Sequence, residues 1–119
     1  MKIMKLIREK RDKYVTNQVA NIKFPDFIPG NILRKKIVFT GKVQHVGFRI
    51  EVYHIAKKIG LTGWVKNTDD GNVEAEIQGE KSKIDFLKQY MTSLKRVQIT
   101  HIDENEISIQ CQENEFLII

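Results

Sequence analysis

With 119 residues the chain has room for one domain rather than two, and for a core large enough to fold without a disulfide or metal staple. A hydrophobic share of 41% and a charged share of 29% fit an ordinary globular protein and exclude a disordered or low-complexity chain. The net charge of +5 is unevenly spread: residues 1–36 carry +7 and residues 37–119 carry −2, so the excess basicity belongs to the amino-terminal segment.

No run approaches the roughly 18 apolar residues of a membrane span. REKRDK follows MKIMKLI too soon to leave the apolar core of ~7–15 residues that a signal peptide needs. The single cysteine, Cys111, can form neither an internal disulfide nor a multi-cysteine zinc frame. It is expected to be a small half-buried strand residue, and a reducing, cytoplasmic compartment is expected for the protein.

Residues 2–19 are charged, with a weak helical spacing of Ile3, Ile7 and Tyr14, and predict a frayed helix or a disordered arm. Residues 21–34, NIKFPDFIPGNILR, hold both prolines; Pro25 and Pro29-Gly30 break regular structure. A basic extension over residues 1–34 and one domain over residues 35–119 are therefore expected. Lys36 to Val43 alternates and is β-branched, as a strand is. Phe48 to Ile59 sets Val52, Ile55, Ala56 and Ile59 on one helical face, and Gly60 stops that helix.

Leu61 to Thr68 and Asn72 to Gln78 predict two strands, joined by the Asp-Gly turn signal of a tight hairpin at Asp70-Gly71. Lys81 to Leu94 predicts a second helix with Ile84, Leu87, Met91 and Leu94 on its buried stripe. Val97, Ile99 and Ile102 predict a fourth strand, extended or resumed through Ile107, Ile109 and Cys111, and Phe116 to Ile119 a short last one. The order β-α-β-β-α-β is that of an α+β, ferredoxin-like sandwich, with two helices on one face of an antiparallel sheet. Many functions share this fold, so residues in a site must decide among them.

Between the first strand and its helix lies Gly41-Lys42-Val43-Gln44-His45-Val46-Gly47-Phe48-Arg49. A strand-to-helix turn presents unpaired backbone N–H groups that suit an anion. Gly47 permits close backbone approach, and the Arg49 guanidinium offers two parallel hydrogen bonds to a phosphate. An ordinary turn with a surface arginine fits these residues equally well. His45, His54 and His101 fall on separate elements, so no metal site is expected. Trp64 is expected to pack on the sheet, and Asp69 and Asp70 to shape a turn rather than to act as an acid–base pair.

GKVQHVGFR resembles the acylphosphatase signature Gly-x-Val-Gln-Gly-Val-x-Phe-Arg. Gly63-Trp64-Val65-Lys66-Asn67 is similar to the family's second motif, Gly-Trp-Val-x-Asn. Asp70-Gly71 and Val73-Glu74 resemble its continuation, and Glu115-Phe116-Leu117-Ile118 its closing strand. The resemblance covers roughly residues 35–119.

It implies metal-independent hydrolysis of a small acyl phosphate to a carboxylate and inorganic phosphate, with no cofactor. By the match, Arg49 binds the phosphate, Asn67 orients the attacking water, and Gln44, His45, Val46, Gly47 and Phe48 form the phosphate-binding loop. The pattern departs at His45, where the family has glycine; a positive φ there costs histidine roughly 1–2 kcal/mol. The alternative function is thus a weak or inactive anion-binding module.

The segment Ser93-Leu94-Lys95-Arg96, which lacks the family's Gly-Pro, is expected to form a loop away from the site. A monomer is expected. Nucleic acid is not an expected partner, because the strand Asn72–Gln78 offers no aromatic for stacking; any such binding would run through the basic arm.

Overall fold

The computed structural model describes residues 2–119, in the order α1 (Lys2–Ala20), β1 (Ile32–Lys42), α2 (Phe48–Ile59), β2 (Thr62–Asn67), β3 (Val73–Glu80), α3 (Lys81–Ser93), β4 (Gln98–Ile107) and β5 (Phe116–Ile118). The sheet order is β4-β1-β3-β2-β5. Its first four strands are antiparallel, and β5 joins β2 in parallel. This is the expected ferredoxin-like arrangement with one short strand added at the edge.

The core forms where alternating strands meet helical stripes. Ile37 and Phe39 of β1, Val65 of β2 and Val73, Ala75 and Ile77 of β3 face Val52, Ile55 and Ala56 of α2 and Ile84, Leu87 and Met91 of α3; all are buried. α2 has the predicted bounds. Gly60, at φ 77°, ends it, and the Leu61 N–H returns to the Ala56 carbonyl at 2.8 Å. Trp64 and Lys66 fall on the opposite face of β2 from Val65, with the Lys66 ammonium 5.4 Å above the indole.

Three segments depart from the sequence reading. β1 begins at Ile32 and takes in Arg34, which is only 2% exposed. Its guanidinium donates to Glu113 at 2.7 and 3.2 Å, to Glu76 at 3.0 Å and to Gln78 at 3.3 Å. Burial opposes the charge, but the hydrogen bonds it donates to Glu113 and Glu76, with their negative charges, outweigh that and raise the Arg34 pKa.

β4 stops at Ile107, and Cys111 is exposed in a turn rather than half-buried in a strand. The reason lies in Gln78. Its amide accepts from the Gln110 N–H at 2.8 Å and donates to the Gln110 carbonyl at 3.2 Å. The chain is drawn away from β1 and across the sheet toward its β2 edge.

The third departure is α1, an unbroken helix whose second half is packed on the domain. It packs on α2 through Val15 and Val19, 0% and 3% exposed, while Ile3, Ile7 and Tyr14 of the predicted stripe all stay exposed. One ridge of the helix runs through Ile7, Arg11, Val15 and Val19 at four-residue spacing, and only its second half is buried. No helix among the described residues is long and apolar enough to cross a membrane.

Candidate functional site

The turn from β1 to α2 is built by its two ends. Phe48 is buried against Phe39, with ring centroids 4.9 Å apart, which seats the start of α2 on the sheet. Gly47, at φ 79° and ψ 16°, is the residue before the helix, and no side chain caps the first turn. The first helical N–H to find a partner is that of Glu51, to Gly47 O at 3.1 Å, so the N–H groups of Phe48, Arg49 and Ile50 point out of the helix end.

His45 sits at φ 63°, the left-handed region anticipated from the family's glycine at this position. Gly47 has a second constraint besides its φ. A Cβ there would stand 2.8 Å from Val15 Cγ2 and 3.5 Å from Arg11 Cγ and Cδ, so α1 closes directly onto the loop.

Two side chains hold the loop in place. Gln44 Nε2 donates to the carbonyls of Thr68 and Asn72, both at 2.8 Å, and so ties the loop to the β2–β3 turn just beyond Asn67. That turn spans residues 68–72, longer than a two-residue hairpin. The Thr68 N–H closes it on Asn72 O at 2.9 Å, and the Thr68 hydroxyl bonds to Asp70. The Thr68 hydroxyl lowers the Asp70 pKa, in keeping with a turn-shaping role.

The second tether is Arg96. Its Nε donates to the Val46 carbonyl at 2.8 Å, its guanidinium pairs with the fully buried Glu51, and it lies 5.8 Å from the Tyr14 ring centroid. Burial, reinforced by the Glu51 carboxylate, pushes the neighbouring Tyr90 phenol up to about 12. The segment expected to form a loop away from the site therefore reaches it. The Arg96 side chain spans a distance that its position in the chain conceals, 50 residues from Val46.

A cavity of about 460 Å³ opens where these pieces meet. Arg49, Asn67, His45, Gly47 and Phe48 line it together with Val43 and Ile50, so the predicted pair Arg49 and Asn67 share one cavity. Gln44 and Val46 do not line it; their contacts are the two tethers. Its other wall is α1, which contributes Met4, Ile7, Arg8 and Arg11. Nothing in the sequence reading anticipated that wall, although the i, i+3, i+4, i+7 spacing of those four residues is legible in hindsight.

His54 and His101 lie elsewhere. His54 of α2 faces Thr16 of α1, Nε2 to Oγ1 3.3 Å. Burial and the Lys57 charge hold its pKa below the ordinary 6.5, with Asp12 opposing. His101 is exposed on β4.

Comparison with known proteins identifies the family of the domain. The acylphosphatase family model matches residues 35–118. The acylphosphatase of Geobacillus kaustophilus is 39% identical over 89 residues, covering 72% of this chain and 93% of that one. That of Picrophilus torridus is 39% identical over 69 residues, 57% of this chain and 85% of its own. The crystal structure of Bacillus subtilis acylphosphatase superposes with a TM-score of 0.68 at 33% identity, covering 73% of this chain and 98% of that one. The chain belongs to the acylphosphatase family, enzymes that hydrolyse acyl phosphates.

Proposed function

We propose that Arg49 binds the phosphoryl group of an acyl phosphate and that Asn67 orients the water that attacks it, without a metal ion. The observation that carries this reading is the meeting of both side chains in one cavity with the open start of α2. The phosphoryl oxygens accept from the Arg49 guanidinium and from backbone N–H groups of the first helical turn. Asn67, on the last residue of β2, both accepts from a water and donates to it, which fixes the water in line with the scissile bond.

Water oxygen bonds to phosphorus as the bond from phosphorus to the acyl oxygen breaks, and the bonding pair leaves on the carboxylate. The proton of the water passes to a phosphate oxygen. A carboxylate departs without protonation, so neither a general acid nor a strong protein base is required. Positioning and charge stabilisation suffice.

The protein acts on this reading as a cytoplasmic monomer whose partner is the small-molecule substrate. Turnover of acetyl phosphate, measured with a chelator present, tests the assignment. Arg49→Ala and Asn67→Ala each lower kcat/KM by ~10²–10³, the usual cost of one well-aimed donor, with Arg49 the larger. Near-normal turnover by both variants would overturn it.

A further inference from the structure

We infer that α1 makes this site selective for acyl phosphates whose acyl group carries a second anionic group, held by Arg8 and assisted by Arg11. This rests on the reading of Arg49 as the phosphate-binding residue. The cavity has two cationic walls: Arg49 with the start of α2 on one side, and Arg8 and Arg11 of α1 on the other. Its volume, about 460 Å³, lies within the ~300–1,000 Å³ of ordinary small-molecule sites, so it has room for more than one phosphoryl group.

The second wall is held in place at four points. Val15 and Val19 are buried against the body of the protein, Thr16 meets His54, and the Tyr14 ring lies beside the Arg96 guanidinium. The Arg11 stem lies on the open side of Gly47, 3.5 Å from where a Cβ there would stand. Val15 and Val19 end the ridge that begins at Ile7 and Arg11, so docking the helix by its second half sets its first half beside the cavity.

The two arginines differ in their partners. Arg11 Nε and Nη2 both donate to Asp12 at 3.1 Å, which offsets its charge. Arg8 has no carboxylate within ion-pairing distance among the described residues, so its charge is available to a ligand. Met4, Ile7 and Ile50 supply apolar lining to the same cavity, suited to the methylenes that separate two anionic ends. An acyl phosphate without a second charge would leave the Arg8 side of the cavity unused.

The test compares acetyl phosphate with succinyl phosphate, which adds a carboxylate, on the full chain. Wild type prefers succinyl phosphate in kcat/KM by about fivefold, the size of one partly exposed charge pair, and the preference shrinks as salt is added. Arg8→Gln lowers the ratio toward one, Arg11→Gln lowers it less, and Arg8→Glu inverts it. A ratio near one in wild type, or one unmoved by all three variants, overturns the inference. So does an equal rise on both substrates in Arg8→Gln, which would make α1 a simple obstruction.

Binding of methylphosphonate and 4-phosphonobutyrate, followed by calorimetry, separates this inference from the catalytic reading. A preference for 4-phosphonobutyrate that Arg8→Gln abolishes upholds the anion site even if neither acyl phosphate is turned over. Normal turnover with no such preference overturns the anion site and leaves the roles of Arg49 and Asn67 intact.

Discussion

Arg96 and Val46 are joined by a 2.8 Å hydrogen bond from a guanidinium to a loop carbonyl, and the same guanidinium neutralises the buried Glu51. Fold stability and loop geometry thus depend on one side chain. Removing it in Arg96→Ala leaves a buried carboxylate without a counter-charge, a loss of about 3–5 kcal/mol. Chemical denaturation reads that loss, and adding Glu51→Leu to the variant restores much of it.

Arg96→Lys separates the two roles. It keeps a cation near Glu51 but not the planar fork that reaches both partners at once. The expected result is a smaller stability loss together with a fall in kcat/KM of about tenfold or more, since small misplacement of a positioned group costs up to ~10²-fold. Unchanged kinetics in a folded Arg96→Lys protein would show that the loop does not depend on this bond.

His45 at φ 63° predicts that His45→Gly is stabilising. Relief of backbone strain is worth roughly 1–2 kcal/mol, offset by about 0.4–1 kcal/mol for the added freedom of glycine in the unfolded chain. A net gain of up to about 1.5 kcal/mol is expected in urea unfolding, with turnover retained at the wild-type level. A wild-type protein that binds phosphate without turnover, and gains turnover only in His45→Gly, would instead identify it as an anion-binding module.

His54 predicts a pH dependence of the contact between α1 and α2. Its folded pKa lies below 6.5, from burial first and Lys57 second, with Asp12 opposing, so the fold favours the neutral ring. The contribution is fully present above about pH 6.5 and is lost as pH falls through the folded value. Unfolding midpoints at pH 7.5 and 5.5 should differ more in wild type than in His54→Gln. The carboxylates with lowered pKa, Glu104, Asp85 and Asp70, remain ionised across that window. Equal differences in the two proteins would count against the prediction.

What could be read in advance was local. Val52, Ile55, Ala56 and Ile59 followed by Gly60 define α2 because stripe and stop lie within one short segment. Arg49 and Asn67 stand out because each sits in a contiguous motif. The features that escaped prediction are made by long-range reach. Val15 and Val19 are the two buried residues of α1, while Ile3, Met4, Leu6 and Ile7 are exposed, so the apolar pattern of this helix does not mark its packed side. Arg96 meets Val46, and Gln78 redirects Gln110, across the fold, and no local pattern marks either contact.

Arg34 lies just outside the span that matches the family, residues 35–118, yet its two carboxylate partners lie inside it. A protein trimmed to that span would leave Glu76 and Glu113 facing each other across the sheet without their shared cation. It would also open the wall that Arg8 and Arg11 form. Common ancestry marks out where the chemistry was inherited, and in this chain the structure that supports it begins earlier.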